Sequence, residues 1–519
     1  MLVKTFGSAV YGIDAQTITI EVDAGGPVAQ GKPGYALVGL PDNAVKEGYY
    51  RIETAMKSYG YRIPRIKIVI NMAPADLKKE GSNYDLPLAI GIMAATQQIP
   101  ATEIANYIIM GELSLDGTVQ PIKGALPIAI QARKEKYKGI ILPKSNAREA
   151  AIVNNLEVYG VETIDDVIGF FEGRTKLEPT IVDTREEFAY NIENAYTIDF
   201  ADVRGQENIK RALEIAAAGG HNAILIGPPG AGKTMLAKRM PTILPPLSLQ
   251  EALETTKIHS VAGYLPKNAS LITARPFRNP HHTISDVALV GGGNVPKPGE
   301  ISLAHNGVLF LDELPEFQRS VLEVLRQPLE NRTITISRSR FTVDYPASFM
   351  MVAAMNPCPC GYYNDPKKDC TCGAGVVQKY LNKVSGPLLD RIDLHVEVTP
   401  VSYDELSQDA PVGENSATII ERVIKAREIQ RQRFDAIHGM HCNAQMESSQ
   451  IRQHCQLTQA GQILLKKAME KLQLSARAYD RILKVARTVA DLAGAANIQV
   501  EHIAEAIQYR SLDRENWGM

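Results

Sequence analysis

Residues 223–240, AILIGPPGAGKTMLAKRM, have the sequence pattern of a strand, a loop and a helix in succession. Four apolar residues typical of a buried strand lead into a glycine-proline loop and then into a helical composition. Positions 227–234 match the pattern G-x-x-x-x-G-K-[ST], in which backbone N–H groups at a helix start wrap phosphates. The stretch therefore predicts an α/β fold whose phosphate loop binds a nucleotide through Gly227, Pro228, Pro229, Gly230, Ala231, Gly232, Lys233 and Thr234.

An acidic pair provides the second part of this predicted site. In GVLFLDELPEF, residues 307–317, an apolar strand ends at Asp312 and Glu313. Such a strand-end aspartate shares Mg²⁺ with the loop threonine, and a neighbouring acid can activate the attacking water. Many buried strands end in acids, so the prediction depends on the preceding phosphate loop. We predict that Thr234 and Asp312 hold Mg²⁺ with ATP and that Glu313 is catalytic.

Three later polar side chains complete the candidate site. SFMMVAAMNP ends near Asn356, which is placed to orient water beside the γ-phosphate, although Asn-Pro is also a common turn. Arg391 lies between two acids in GPLLDRIDLHVEV, and Arg477 lies near a predicted helix start in LSARAYDRIL. An arginine that reaches the γ-phosphate from a neighbouring subunit stabilises transition-state charge. A buried salt bridge is the alternative for Arg391.

Length and composition limit the class of protein. With 519 residues, and about 150 residues per domain, we expect about three domains. The formal net charge of -2 neither indicates nor excludes nucleic acid. Because we find neither a membrane-length apolar run nor a signal-peptide core, we expect a cytoplasmic protein without a membrane partner.

Four segments differ in their sequence pattern. Residues 1–172 alternate strand-like and helix-like runs, and residues 173–195 have the composition of a linker. Residues 196–400 alternate again and contain the candidate site, whereas residues 401–519 are predominantly helical.

The ordered motifs resemble those of the AAA+ ATPases, and within them the magnesium-chelatase-like YifB/ComM family. The likeness covers essentially the whole chain, in VGLPDNAVKE, RPFRNPHHTISDVALVGGG, HNGVLFLDELPEF, NPCPCGYY, SGPLLDRIDLHVEV and SARAYDRIL. It implies a P-loop AAA+ module with a C-terminal helical lid. It also implies that Arg391 is an arginine finger, that Arg477 is a lid sensor, and that the chain forms a ring, a hexamer.

The first segment resembles the Lon-protease domain, in KKEGSNYDLPLAI and GELSLDGTVQPIKGALPIAIQA. That domain uses a serine activated by a lysine. Here the two positions fall on Asn83 and Leu126, and Ser82 with Lys123 is the misregistered alternative. We therefore expect a non-proteolytic docking or DNA-binding module.

Two inserts are expected to face the pore of the ring. In related AAA+ motors a hairpin precedes the sensor strand, and ENRTITISRSRFTVDYPASF matches it, with Arg338 and Arg340 near its tip. Arginine there can bind phosphate without reading sequence, although solvated turn arginines are the alternative. The second insert, HHTISDVALVGGGNVPKPGE, begins with His281 and His282, for which ligands, nucleotide-linked switches or polar loop residues remain open.

A cysteine loop follows Asn356 directly. CPCGYYNDPKKDCTC places four thiols close together, and four thiolates can close a tetrahedral Zn²⁺ site. The candidate zinc ligands are Cys358, Cys360, Cys370 and Cys372. Reduced cysteines and a redox switch are the alternatives.

Together these features predict a ring-forming ATPase that moves DNA. The family resemblance implies branch migration in recombination and natural transformation, with single-stranded or branched DNA as partner. Three other functions stay open: a magnesium-chelatase motor, a protein remodeller and a nucleotide-gated scaffold. The acid at Glu313 and the arginine at Arg391 favour turnover over a scaffold.

Overall fold

The computed structural model describes the chain except for residues 28–33, 185–187, 189–195, 267–269, 294–295, 339–340, 364, 366–367, 374, 402–412, 438, 473 and 511–519, and except for the side chains at 338 and 341. The chain divides into two units. The first comprises Met1–Asn191 with Leu249–Ile272, and the second comprises Ile192–Ser248 with Thr273–Met519.

The strands are β1 Leu2–Tyr11, β2 Asp14–Ala24, β3 Tyr35–Val38, β4 Ile68–Ala73, β5 Tyr107–Ile109, β6 Glu112–Leu113, β7 Val119–Gln120, β8 Gly139–Pro143, β9 Glu157–Val161, β10 Ala223–Ile226, β11 Phe277–Arg278, β12 Gly291–Gly292, β13 Lys297–Pro298, β14 Val308–Leu311, β15 Thr333–Arg338, β16 Phe341–Pro346, β17 Met350–Met355 and β18 Leu394–Glu397.

The helices are α1 Asn43–Ser58, α2 Asp85–Ala95, α3 Ala125–Lys134, α4 Lys144–Ala150, α5 Ile164–Glu172, α6 Glu207–Gly219, α7 Lys233–Ile243, α8 Leu249–Ala262, α9 Asp286–Val290, α10 Glu300–Leu303, α11 Arg319–Glu323, α12 Arg326–Asn331, α13 Val376–Leu381, α14 Gly386–Leu389, α15 Ser416–Phe434, α16 Ser448–His454, α17 Gln459–Leu472, α18 Ala476–Leu492 and α19 Val500–Gln508. None of these helices combines the length and apolar character that crossing a bilayer requires.

The first unit is built on a seven-stranded mixed sheet in the order β3-β4-β2-β1-β5-β8-β9. β1, β2 and β4 pair antiparallel, whereas the β1-β5, β5-β8 and β8-β9 pairs are parallel. Helix α2 is buried along its whole length and packs on β1 and β2. Its Asp85 is paired with Arg51 of α1, and burial raises the pKa of this carboxyl to about 6.

Helix α8 follows the phosphate-loop helix in sequence but belongs to the first unit. It packs on α3, and the backbone N–H of Gly124 donates to the carbonyl of Ser260 at 3.2 Å. The hydroxyl of Ser260 hydrogen-bonds the buried carboxylate of Glu149, which also accepts from the backbone N–H of Leu126 at 2.9 Å. A segment within the predicted ATPase region, residues 196–400, is therefore part of the first unit.

The second unit contains a five-stranded parallel sheet in the order β11-β14-β17-β10-β18. β10, β14 and β17 are wholly buried, as expected for strands covered on both faces. Helices α15 and α18 pack on α6, and α19 packs on α18. Buried His221, after α6, contacts Asp393 and the hydroxyl of Thr488 on α18, which fixes the C-terminal helices to the sheet.

The α/β module with its following helices confirms the predicted fold class. The division into four segments stays a prediction, since the chain forms two units and one of them takes Leu249–Ile272 from the middle of the other.

Replacing Ile258, which is fully buried on α8, by Asp tests this assignment. We expect the first unit to lose about 3 kcal/mol or more, because apolar packing is lost and a charge is buried. Hydrogen exchange should accelerate in α3, whereas the Leu249→Asp control, at an exposed position of the same helix, should leave it unchanged. Unchanged exchange in α3 of the Ile258 variant would contradict the assignment.

Candidate nucleotide-hydrolysis site

The phosphate loop connects the end of β10 to the start of α7. β10 lies between parallel β17 and β18, so the loop leaves the sheet at the carboxyl end of an inner strand. Gly230 and Gly232 have φ values of 79° and 85°, a left-handed backbone that glycine adopts without steric cost. Helix α7 then begins at Lys233, and its first N–H groups are available to an anion.

The side chain of Lys233 joins this loop to the end of β17. Its Nζ donates to the carbonyl oxygens of Gly227 and Pro228 at 2.6 and 2.9 Å, and to Oδ1 of Asn356 at 3.1 Å. Burial lowers the pKa of the lysine, and the charge of Asp312 offsets this effect only in part. A phosphate would supply the missing negative charge, so the surroundings of Lys233 fit the predicted anion.

The two predicted Mg²⁺ ligands lie together. The hydroxyl of Thr234 donates to Oδ2 of Asp312 at 2.7 Å. Both side chains offer oxygen, the ligand atom that Mg²⁺ takes in proteins. The donor set therefore fits Mg²⁺ with ATP, and the bound metal would neutralise charge on the β- and γ-phosphates.

Glu313 has an unusual backbone conformation, and its carboxylate contacts a different partner from that of Asp312. Its φ and ψ are 53° and 46°, a left-handed conformation that is uncommon outside glycine and clusters at functional sites. Its N–H donates to Oδ1 of Asp312 at 2.9 Å, whereas its carboxylate lies 3.2 Å from Nδ1 of His282. The two acids thus have separate partners, as separate roles in metal binding and water activation require.

The sequence left the role of His282 open, and the structure places its ring beside Glu313. It follows β11, the edge strand that pairs with the acid-bearing β14. Its ring centroid lies 4.1 Å from that of His281 and 6.4 Å from that of Phe317, so packing holds the imidazole beside Glu313. Its position just after β11 could have indicated this role only if the pairing of β11 with β14 had been known. That pairing joins distant parts of the sequence, so local sequence patterns do not predict it.

The predicted arginine finger, Arg391, and the predicted lid sensor, Arg477, have partners elsewhere in the same chain. Arg391 forms an ion pair with Glu330 at the end of α12 and donates to the carbonyl of Pro387 at 2.5 Å. Its Nε is buried without a hydrogen-bond partner in the described part of the chain. Arg477 pairs with Asp390 at 2.7 Å. The structure therefore brings together Lys233, Thr234, Asp312, Glu313 and Asn356, whereas the roles of both arginines stay predictions.

The predicted hairpin arginines and the alternative protease dyad lie outside this cluster of side chains. Arg338 ends β15, but its side chain is not described, and Arg340 lies outside the described residues. In the first unit the hydroxyl of Ser82 hydrogen-bonds Glu112, whereas Lys123 lies beside Gly263. In the described contacts, Ser82 and Lys123, the alternative protease dyad, therefore contact different residues and not each other.

The four loop cysteines converge on one point. The Cys358 Sγ lies 3.2 Å from that of Cys360 and 3.7 Å from that of Cys370, and the Cys360–Cys370 distance is 3.5 Å. With Cys372, all four sulfur atoms lie within 4.8 Å of one another. A backbone N–H at Tyr362 is the main cause that lowers the pKa of Cys360 to about 5.

Comparison with known proteins extends this picture to the whole chain. Residues 199–406 match the family model for magnesium chelatase, subunit ChlI, residues 20–146 match that for subunit ChlI of Mg-chelatase, and residues 413–510 match the ChlI C-terminal model. The chain is 45% identical to Competence protein ComM of Haemophilus influenzae over 513 residues, which cover 99% of this chain and 98% of that protein.

Two other relatives mark the family and the first unit. Uncharacterized protein YifB of Escherichia coli is 45% identical over 510 residues, 98% of this chain and 96% of that protein. An archaeal Lon protease of Thermococcus kodakarensis is 29% identical over 169 residues, 31% of this chain and 26% of that protein, which confirms the Lon-like character of the first unit.

A parallel sheet with a phosphate loop, a strand that ends in two acids, and C-terminal helices, together with the family match, defines an AAA+ ATPase that uses ATP and Mg²⁺. More narrowly, the chain belongs to the YifB/ComM family of magnesium-chelatase-like AAA+ ATPases.

Replacing His282 by Ala should lower kcat for ATP hydrolysis while KM for ATP stays the same. We expect a decrease of about tenfold or more, because Glu313 loses the group that orients its carboxylate, and positioned general bases contribute ~10²–10⁴-fold. Steady-state ATPase assays measure the effect. His441→Ala is the control, since His441 is an exposed histidine of the second unit that lies outside the site. Equal kcat values for both variants and the wild type would contradict a role for His282.

Proposed function

We propose that this protein is a cytoplasmic, ring-forming motor that uses ATP hydrolysis to move DNA through its pore, as a branch-migration helicase in recombination and natural transformation. The observation that carries the proposal is the full-length similarity to Competence protein ComM. Competence is the uptake and integration of DNA, and a motor on single-stranded or branched DNA suits that task. The cysteine cluster adds zinc as a proposed cofactor beside ATP and Mg²⁺.

The hairpin of β15 and β16 supports a pore-facing role for both inserts. On its inner face Ile334, Ile336, Val343 and Tyr345 are buried, whereas the intervening residues are polar and exposed. The Tyr345 hydroxyl donates to the carbonyl of Pro296 at 2.7 Å, and Ile336 lies beside Gly291. The hairpin therefore packs against the β12-β13 insert, and the two inserts can respond to DNA together.

The ion pair of Arg391 with Glu330 suggests how DNA contact reaches the hydrolysis step. Glu330 lies at the end of α12, immediately before β15 begins at Thr333. In the ring we propose, Arg391 leaves Glu330 to contact the γ-phosphate held by a neighbouring subunit. A shift of the hairpin base would move Glu330 and so change how readily Arg391 leaves it for the γ-phosphate. Movement of the hairpin and movement of the arginine finger are therefore coupled in this proposal.

The direct test of the proposal is the steady-state ATPase rate with single-stranded, duplex and four-way-junction DNA across a salt series. Glu313→Gln is the inactive control. We expect stimulation that is greatest with single strands or junctions and that falls as salt rises, because phosphate contacts release counterions. Hydrolysis that no DNA stimulates would contradict the proposal and favour a magnesium-chelatase-type or protein-remodelling ATPase.

The double variant Arg338→Ala, Arg340→Ala should lose DNA stimulation but keep basal ATP binding. We expect the slope of log affinity against log salt to decrease by about 0.7–0.9 for each lost phosphate contact. Fluorescence anisotropy with labelled single strands measures this slope. Arg431→Ala, Lys466→Ala removes two exposed positive charges from the C-terminal helices and serves as the charge-matched control. Undiminished stimulation in the hairpin variant would remove both arginines from the DNA-binding surface.

A further inference from the structure

We propose that Cys358, Cys360, Cys370 and Cys372 bind one Zn²⁺, and that this metal site braces the phosphate loop and the strand end that carries Asn356. The proposal rests on the nucleotide site and not on DNA binding. It assigns the cluster a defined task in ATP hydrolysis.

The sulfur positions match a tetrahedral thiolate site. Zinc-sulfur bonds of about 2.3 Å at tetrahedral angles separate the sulfur atoms by about 3.8 Å. The three Sγ separations of 3.2, 3.5 and 3.7 Å lie near this value, and the fourth sulfur lies within the same 4.8 Å limit. Four soft ligands without carboxylates select zinc or iron rather than magnesium or calcium.

The first half of the cluster contacts the phosphate loop. Gly361 has φ of 88°, and a Cβ built there would lie 2.5 Å from Cδ of Pro229, so the turn after Cys358 lies directly on the phosphate loop. The backbone N–H of Gly361 donates to the carbonyl of Cys358 at 3.0 Å, which closes this turn. Cys358 is itself fully buried.

The second half of the cluster leads back to the same strand end. Cys370 and Cys372 precede α13, whose Tyr380 is buried close to the backbone of Asn356. The chain therefore leaves Asn356, passes all four cysteines and returns to Asn356. A metal bound by both halves closes this loop at its base and restricts the positions of Pro229 and Asn356.

This brace acts on the atoms that hold the nucleotide. Asn356 accepts from the Lys233 ammonium, and Pro229 belongs to the same loop that Lys233 contacts through Gly227 and Pro228. Without zinc, the cysteine loop would not be cross-linked, and the positions of Pro229 and Asn356 would be less restricted. Because displacement of a positioning group by ~1 Å can lower a rate by ~10²-fold, zinc loss should slow hydrolysis.

The first measurement is the metal content of the full chain, by plasma mass spectrometry. We expect one zinc per chain, release of it by a mercurial thiol reagent, and near absence of zinc in Cys370→Ser, Cys372→Ser. Cys455→Ala removes a cysteine outside the cluster and should keep the metal. Wild-type protein that contains no metal, or that contains iron instead, would overturn the zinc assignment.

The second measurement tests the brace without DNA. Fluorescent ATP-analogue binding and basal ATPase are measured on the wild-type chain, after removal of zinc by a zinc-selective chelator in excess Mg²⁺, and after return of Zn²⁺. We expect basal hydrolysis to fall at least about tenfold and to recover with Zn²⁺. Unchanged hydrolysis in zinc-free protein would overturn the brace. Since DNA is absent, this outcome is independent of whether the chain moves DNA.

Discussion

The contact of Lys233 with both the phosphate loop and Asn356 is the interaction on which the site depends. It is possible only because β10, β14 and β17 are parallel neighbours, so that a loop, an acid pair and a polar amide leave the sheet at one edge. The amine is held by neutral oxygens, and burial lowers its pKa. The site is thus arranged around a negative charge that the nucleotide brings.

Two attachments connect this centre to other parts of the second unit, and a third contact, an ion pair, lies at the base of the hairpin. His282 contacts Glu313 from the edge strand, the cysteine turn presses on Pro229, and Glu330 pairs with Arg391 at the base of the hairpin. In the account proposed here these attachments connect water activation, loop position and the arginine finger to inserts that meet DNA. In that account, DNA binding and ATP hydrolysis are coupled through short-range contacts near Lys233.

Local sequence patterns were sufficient to predict the phosphate loop and the acid at the centre of the site. They were insufficient to predict the contacts that connect this centre to the rest of the second unit. The phosphate loop and Asp312 were predictable because their chemistry requires fixed residue types next to apolar strands. The contact of His282 with Glu313 depends on strand order, and the place of α8 depends on its packing against α3, so neither leaves a periodic signal. The cysteine spacing predicted a cluster, but the approach of Gly361 to the phosphate loop appears only in three dimensions.

The proposed DNA-moving activity can be measured as conversion of a mobile four-way DNA junction into duplex products by the purified full-length chain with ATP and Mg²⁺. The account predicts product formation that requires ATP hydrolysis, so that the wild type converts the junction and Glu313→Gln, bound to ATP, does not. A wild-type chain that hydrolyses ATP and assembles into rings yet leaves the junction intact would contradict it.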